Sequence, residues 1–173
     1  QLSLQVMDFL PWLPYWPRSS PDKMDCTWLP HPKVPTLPSG SVEAPLFNPD
    51  PAAYLPHRYP FLMLDRLLTL EPGVIATAER RVTSAPGGFP QVYLLECIAQ
   101  LGGIASICEE GEGGFLASID HAEFEGAVCA GDTLIITARV LKSFGRLVLI
   151  EGVVAGEGHT LARAQLTLGI GKV

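Results

Sequence analysis

The sequence of 173 residues predicts an α+β domain in which an antiparallel sheet of about six strands wraps around one long helix. Three observations lead there. Residues 91–110 are apolar nearly all round at helical spacing. Strand-like segments fall in the order two before that helix and four after it. The breaks between the later strands are short and contain glycine, which implies antiparallel neighbours. On this pattern alone, another α+β sandwich remains the alternative.

Residues 1–51 hold 11 of the 16 prolines and all three tryptophans, Trp12, Trp16 and Trp28. Prolines so closely spaced suit neither a helix nor a central strand. The chain therefore divides into a Pro/Trp-rich arm, 1–50, and a domain, 51–173. The aromatics favour an arm lying on the domain or on a partner subunit, with a flexible leader as the alternative. Asp50 before Pro51 predicts one capped helical turn. Residues 61–70 read as a strand ended by Glu71-Pro72-Gly73, and 74–83 alternate as its hairpin partner. In the helix, Leu94, Ile98, Leu101, Ala105 and Cys108 recur at intervals of three and four, and Leu95, Ala99 and Ile104 widen the stripe, so it must be wrapped by other elements. Strands follow at 115–119, 133–144, 147–155 and 160–170. Gly102-Gly103 in mid-helix costs about 1 kcal/mol per glycine relative to alanine. Close approach of a strand, an acyl chain or a partner helix would offset it.

A net charge of −6 without blocks of like charge argues against nucleic acid as partner. The most apolar window, 92–108, contains Glu96 and Gln100, so no membrane span is expected. Cys26, Cys97, Cys108 and Cys129 form no C-x-x-C pair and no zinc-ligand spacing. They read as reduced packing residues of a cytoplasmic protein, with neither metal nor cofactor expected.

The run Leu55-Pro56-His57-Arg58-Tyr59-Pro60-Phe61-Leu62-Met63-Leu64-Asp65-Arg66 resembles the opening signature of the beta-hydroxyacyl-acyl carrier protein dehydratases. Leu94-Leu95-Glu96-Cys97-Ile98-Ala99-Gln100 is similar to that family's central-helix motif. Residues 118–124, 130–134 and 164–168 resemble its later strands. The resemblance spans about residues 52–173 and implies the hot-dog fold, with Glu96 as the catalytic carboxyl and an acyl tunnel along the helix. It departs at Gly87-Gly88-Phe89-Pro90, where the family has Gly-His-Phe-Pro and its histidine works with the glutamate of the neighbouring subunit. Glu96 also follows sooner than the family spacing. Either Gly88 replaces the histidine, or Phe89-Pro90 match a later proline and the histidine-bearing loop is deleted.

Removing water from a 3-hydroxyacyl thioester requires taking an α-proton, stabilising an enolate-like oxygen and protonating the departing hydroxyl. Glu96, on an apolar helix that disfavours its charged form, suits acid or base work near neutral pH. Gln100, one turn on, suits orienting it. The amides near Gln91 and Val92, at the positive end of the helix dipole, suit the thioester oxygen. His57, Tyr59, Phe61, Gly88, Phe89 and Pro90 complete the expected substrate-binding set. For His57 the alternatives are fixing its loop and replacing the absent histidine. Arg58, Arg66, Arg80, Arg81, Lys142 and Arg146 are candidates for a basic rim facing an acidic carrier protein or a phosphopantetheine phosphate, against the alternative of scattered solvated charges. His31, in the arm, weakly echoes the context of His57; His121 and His159 read as solvated.

Three functions follow. The first is a lyase of fatty acid biosynthesis that converts 3-hydroxyacyl thioesters to trans-2-enoyl thioesters. The second is an acyl thioesterase using Glu96. The third is a non-catalytic acyl-binding or scaffold subunit, which the absent histidine favours. Acyl carrier protein or coenzyme A thioesters are the expected partners, and a homodimer, with a trimer of dimers as an extension, the expected assembly.

Overall fold

The computed structural model describes residues 46–83, 89–107 and 112–172. The arm at 1–45, the loop at 84–88 that includes Gly88, and residues 108–111 lie outside the described residues. The chain runs from a 3-10 turn, η1 (Pro51–Ala53), through strands β1 (Arg66–Glu71) and β2 (Ile75–Arg81) to the helix α1 (Val92–Ser106). Strands β3 (Glu112–Phe124), β4 (Thr133–Phe144), β5 (Leu147–Gly156) and β6 (His159–Lys172) follow. All pairings are antiparallel, and the six strands are ordered β1-β2-β4-β5-β6-β3. This is the hot-dog arrangement.

The expected cap forms, with Asp50 Oδ1 accepting from the Ala52 amide at 2.9 Å and Pro51 in the first turn. Alternation in the later strands sends Leu134, Ile136 and Ala138 of β4, Val148, Ile150 and Val154 of β5, and Ala162, Ala164, Leu166 and Leu168 of β6 into one core. Leu94, Ile98, Leu101 and Ile104 of α1 meet them there, all essentially inaccessible to solvent. Burying a side chain of this size contributes roughly 1.5–3 kcal/mol. Glu157 and Gly158 both have positive φ, which fits the tight turn between β5 and β6.

Three boundaries differ from expectation. Residues 61–64 do not extend β1, because the backbone at Phe61 and Met63 bonds to helix side chains instead of a strand: the Gln100 side-chain amide donates to the Phe61 carbonyl and accepts from the Met63 amide, and the Cys97 thiol donates to the Met63 carbonyl. Pairing with β2 begins where the Asp65 amide donates to the Glu79 carbonyl. The helix stops at Ser106, since Ile107 is extended and the Gly73 amide of the β1–β2 turn donates to the Ala105 carbonyl at 2.7 Å. β3 is far longer than 115–119 and pairs with β6 from Glu112 to Phe124. Its leading glycines, Gly113 and Gly114, pair with Gly171 and Ile170 of β6, and a side chain on Gly114 would press on Ile170.

The mid-helix glycines are explained separately. A β-carbon on Gly102 would strike Ile150 of β5, and one on Gly152 of β5 would strike Ile98. Helix and sheet interlock there, isoleucine over glycine, in both directions. Nothing lies within 4 Å of the β-carbon position of Gly103, which borders open space.

Cys97 is free and buried. Cys129, in the half-buried loop before β4, is disulfide-bonded, which corrects the expectation of four reduced cysteines. Disulfides join positions distant in sequence, so the missing C-x-x-C pair was no evidence against one. Cys26 and Cys108 lie outside the described residues. Among the described residues, no helix is long and apolar enough to cross a membrane.

The interlock makes an asymmetric prediction. Gly152→Ala meets the branched Ile98 at several atoms and is expected to destabilise the fold by about 1–3 kcal/mol in urea unfolding. Gly102→Ala meets chiefly the movable end of Ile150 and regains about 1 kcal/mol of helix propensity, so its loss is smaller. Equal losses would contradict this packing.

Candidate active site

The site is assembled from one stripe of the helix and the segment that follows η1. Glu96, Ala99 and Gly103 follow one another on α1 at spacings of three and four, which puts them on a single face, and Ile107 stands just past its end. That face borders a cavity of about 240 Å³, closed opposite by Tyr54, Leu55, Pro56 and His57 and by Gly113, Gly114, Phe115 and Leu116 of β3. Its walls are predominantly apolar, while the Glu96 carboxyl, the Gln100 amide and the His57 imidazole border it.

Gln100 is buried and its side-chain amide is fully committed. Its oxygen accepts from the Met63 amide at 2.9 Å, and its nitrogen donates at 2.7 Å to both the Phe61 carbonyl and Glu96 Oε1. Met63 N–H can only donate, so the amide orientation is fixed by its surroundings. Glu96 is thereby held by a residue one turn on. His57 Nε2 stands 3.7 Å from the same Oε1. The side chains of Glu96 and His57 retain 40% and 34% exposure, so both are open to a ligand. Below this pair, burial pushes the Cys97 thiol up to about 12, with the nearby Arg80 guanidinium opposing.

The structure thus brings together three of the expected residues: Glu96, Gln100 and His57. Phe61 contributes its backbone carbonyl, but its ring is exposed, and Tyr59 is 95% exposed; neither lines the cavity. Phe89 packs edge-on against Tyr93 with ring centroids 5.5 Å apart and rests on the core. Pro90, Gln91 and Val92 lie at the exposed start of the helix. There the Pro90 and Gln91 carbonyls accept from Tyr93 and Leu94, and Gln91 Nε2 donates to the Gly126 carbonyl. None of these four lines the cavity, because the helix start lies more than one turn before Glu96. Gly88 lies outside the described residues.

None of the six cations of the expected basic rim lines the cavity, although Arg146 borders an adjoining groove with Gly113, Gly114 and Phe115. Arg66 pairs with Glu79 and Arg80 with Asp65, Arg58 donates to the Leu55 and His57 carbonyls, and Lys142 sits over the Phe144 ring. Missed from the sequence were the cavity walls, Tyr54, Leu55, Gly114, Leu116 and Leu168. The helical stripe through Glu96, Ala99 and Gly103 was the available signal. Among the described residues, no group of three or more His, Cys, Asp or Glu could hold a metal ion.

With this geometry in hand, comparison with known proteins is decisive. A 3-hydroxyacyl-acyl-carrier-protein dehydratase FabZ of Bacillus subtilis (strain 168) is 32% identical over 131 residues, covering 68% of this chain and 93% of that protein. This chain belongs to the FabZ dehydratase family. The FabZ of Streptococcus sanguinis (strain SK36) is 33% identical over 130 residues, with the same coverage. No family model matches. Among solved structures, the dehydratase heterocomplex ApeI:P from Xenorhabdus doucetiae shares the fold with a TM-score of 0.59 at 18% identity, over 69% of this chain and 90% of that one. A hypothetical thioesterase with coenzyme A from Streptococcus pneumoniae shares it with a TM-score of 0.52 at 14% identity, over 61% and 84%.

Two outcomes follow from the site's bonding. Gln100→Leu strands the Met63 amide and the Phe61 carbonyl, and urea unfolding is expected to show a loss of about 1–3 kcal/mol for each group left unpaired. A total loss below about 1 kcal/mol would mean that water substitutes for the amide. The raised Cys97 thiol is protonated far above neutrality, so alkylation at pH 8 should be negligible in the folded protein and fast after unfolding. Rapid alkylation at Cys97 itself in the native protein, located by peptide mapping, would contradict its burial.

Proposed function

We propose that this chain binds the acyl end of a 3-hydroxyacyl thioester in the Glu96 cavity and eliminates water from it to give the trans-2-enoyl thioester. The observation that carries this reading is the Glu96 carboxyl, clamped by Gln100 at 2.7 Å and facing a predominantly apolar cavity. Family membership supports the same substrate class, because the relatives are named for 3-hydroxyacyl carrier-protein substrates. At about 240 Å³ the cavity is slightly under the usual 300–1,000 Å³ of small-molecule sites, which suits the acyl end of a carried substrate.

Both described contacts of the carboxyl fall on Oε1; among the described residues Oε2 makes no hydrogen bond. Gln100 therefore fixes the carboxyl plane while leaving an oxygen for proton transfer. A bound acyl chain would displace water from the apolar walls, which strengthens the electrostatics of the reacting groups. Gly103 leaves room for the hydrocarbon tail beside the helix.

The acting form is read as a homodimer. β3 is an edge strand with Phe115, Leu116 and Ile119 exposed, and a bare apolar edge invites pairing with a second copy. Phe115 and Leu116 also border the cavity, so such a partner would help to close it.

The assay is hydration of a crotonyl thioester, on both carrier protein and coenzyme A, at high protein concentration. Wild-type protein is expected to turn over, and Glu96→Gln to lose about 10²- to 10⁴-fold in kcat. Absence of wild-type turnover would overturn the dehydratase reading. Release of free thiol from acyl-coenzyme A, abolished by Glu96→Gln, would instead assign a thioesterase. Tight binding without either reaction would assign an acyl-binding subunit.

A further inference from the structure

We propose that His57 is the second proton-transfer group of this site, acting on the same acyl chain as Glu96 of its own protomer. The inference rests on the dehydratase reading and supplies what that reading lacks. Elimination of water needs one group to accept the α-proton and another to protonate the departing oxygen. The sequence has no histidine between His57 and His121, so the loop before the helix contributes none. Of the remaining histidines, His121 pairs with Glu123 on exposed β3 and His159 begins β6 in the β5–β6 hairpin; neither borders the cavity. His31 lies outside the described residues. Among the described residues, His57 alone of the histidines lines the cavity.

The surroundings of His57 suit this task. Arg58 donates at 2.7 Å to the carbonyls of Leu55 and His57 and so braces the turn that carries the ring. Nδ1 is buried without a hydrogen-bond partner, whereas Nε2 faces Glu96 Oε1 at 3.7 Å. Nε2 is therefore the nitrogen available to a ligand. Among the described residues Nδ1 makes no hydrogen bond to the loop that carries it.

The step balances as follows. Neutral His57 Nε2 takes the α-proton, and the C–H electron pair becomes the new C2–C3 π bond. The C3–O bond breaks with its pair on oxygen, which takes the proton of protonated Glu96 and leaves as water. The resulting imidazolium and carboxylate, 3.7 Å apart and both open to solvent, restore the starting pair by exchange through water: the imidazolium releases its proton and the carboxylate takes one up.

The test compares wild type with His57→Asn, His57→Gln and Glu96→Gln in crotonyl thioester hydration across pH, alongside equilibrium binding of an unreactive acyl-thioester analogue and thermal unfolding. Both His57 variants are expected to lower kcat by about 10²- to 10⁴-fold and to remove one limb of the kcat–pH profile. Analogue affinity and unfolding temperature should stay near wild type. The double variant should be little worse than either single one, as for groups acting as a unit. Mixing His57→Asn with Glu96→Gln protein should restore no activity, since both groups come from one chain. Turnover by a His57 variant with kcat and pH profile intact would overturn the role of His57 while leaving the dehydratase reading standing. Restored activity on mixing would overturn the within-protomer pairing. A wild type without turnover would overturn both.

Discussion

The side-chain amide of Gln100 is the constraint on which the site depends. It makes three hydrogen bonds with two donors and one acceptor: two to the backbone of residues 61 and 63 and one to Glu96. The first two hold an irregular segment against a helix that would otherwise offer it only hydrocarbon, and they satisfy backbone groups that would be costly to bury unpaired. The third aims a carboxylate. Structural and chemical roles thus meet in one residue: the segment carrying His57 leads directly into the stretch that Gln100 anchors.

The helix around Gln100 has two contrasting faces. On one, Gly102 admits Ile150 while Ile98 fills the space over Gly152, and the sheet closes onto the helix with little void. On the other, the β-carbon position of Gly103 meets no atom within 4 Å, and with Gly114 it keeps the wall low where the cavity runs. Adjacent glycines therefore do opposite jobs, one admitting protein and the next leaving room for ligand. The packed face gives the rigidity that holds Glu96 in place, a requirement for any proton transfer over fixed distances.

Much of this was legible in the sequence because the core repeats with regular periods. Alternation in β4, β5 and β6 and the near-continuous apolar helix reported the sheet, its antiparallel links and the buried face. Asp50-Pro51 reported its own cap. Less legible was whatever depends on contacts distant in sequence. Residues 61–64 are apolar and look like a strand, yet Phe61 and Met63 bond to Gln100 and Cys97. Gly113 and Gly114 look like a loop, yet they are the part of β3 nearest the helix. Glu96 and Gln100 were found through spacing and motif. The nearness of His57 to Glu96 across the fold was not contained in either. Tyr59, Phe61, Phe89, Pro90, Gln91 and Val92 belong to the motif neighbourhood without lining this cavity, which shows that nearness in sequence to a site residue does not fix a side chain's direction.

The central claim is positional: the acyl chain lies along Gly103 with its reacting carbons beside Glu96. The most direct measurement is a crystal structure with an amide-linked 3-hydroxyacyl analogue that cannot eliminate water. The account predicts C2 and C3 within reach of Glu96 and His57, and the tail between the helix and β3. An analogue bound in another groove, with the Glu96 cavity empty, would contradict it.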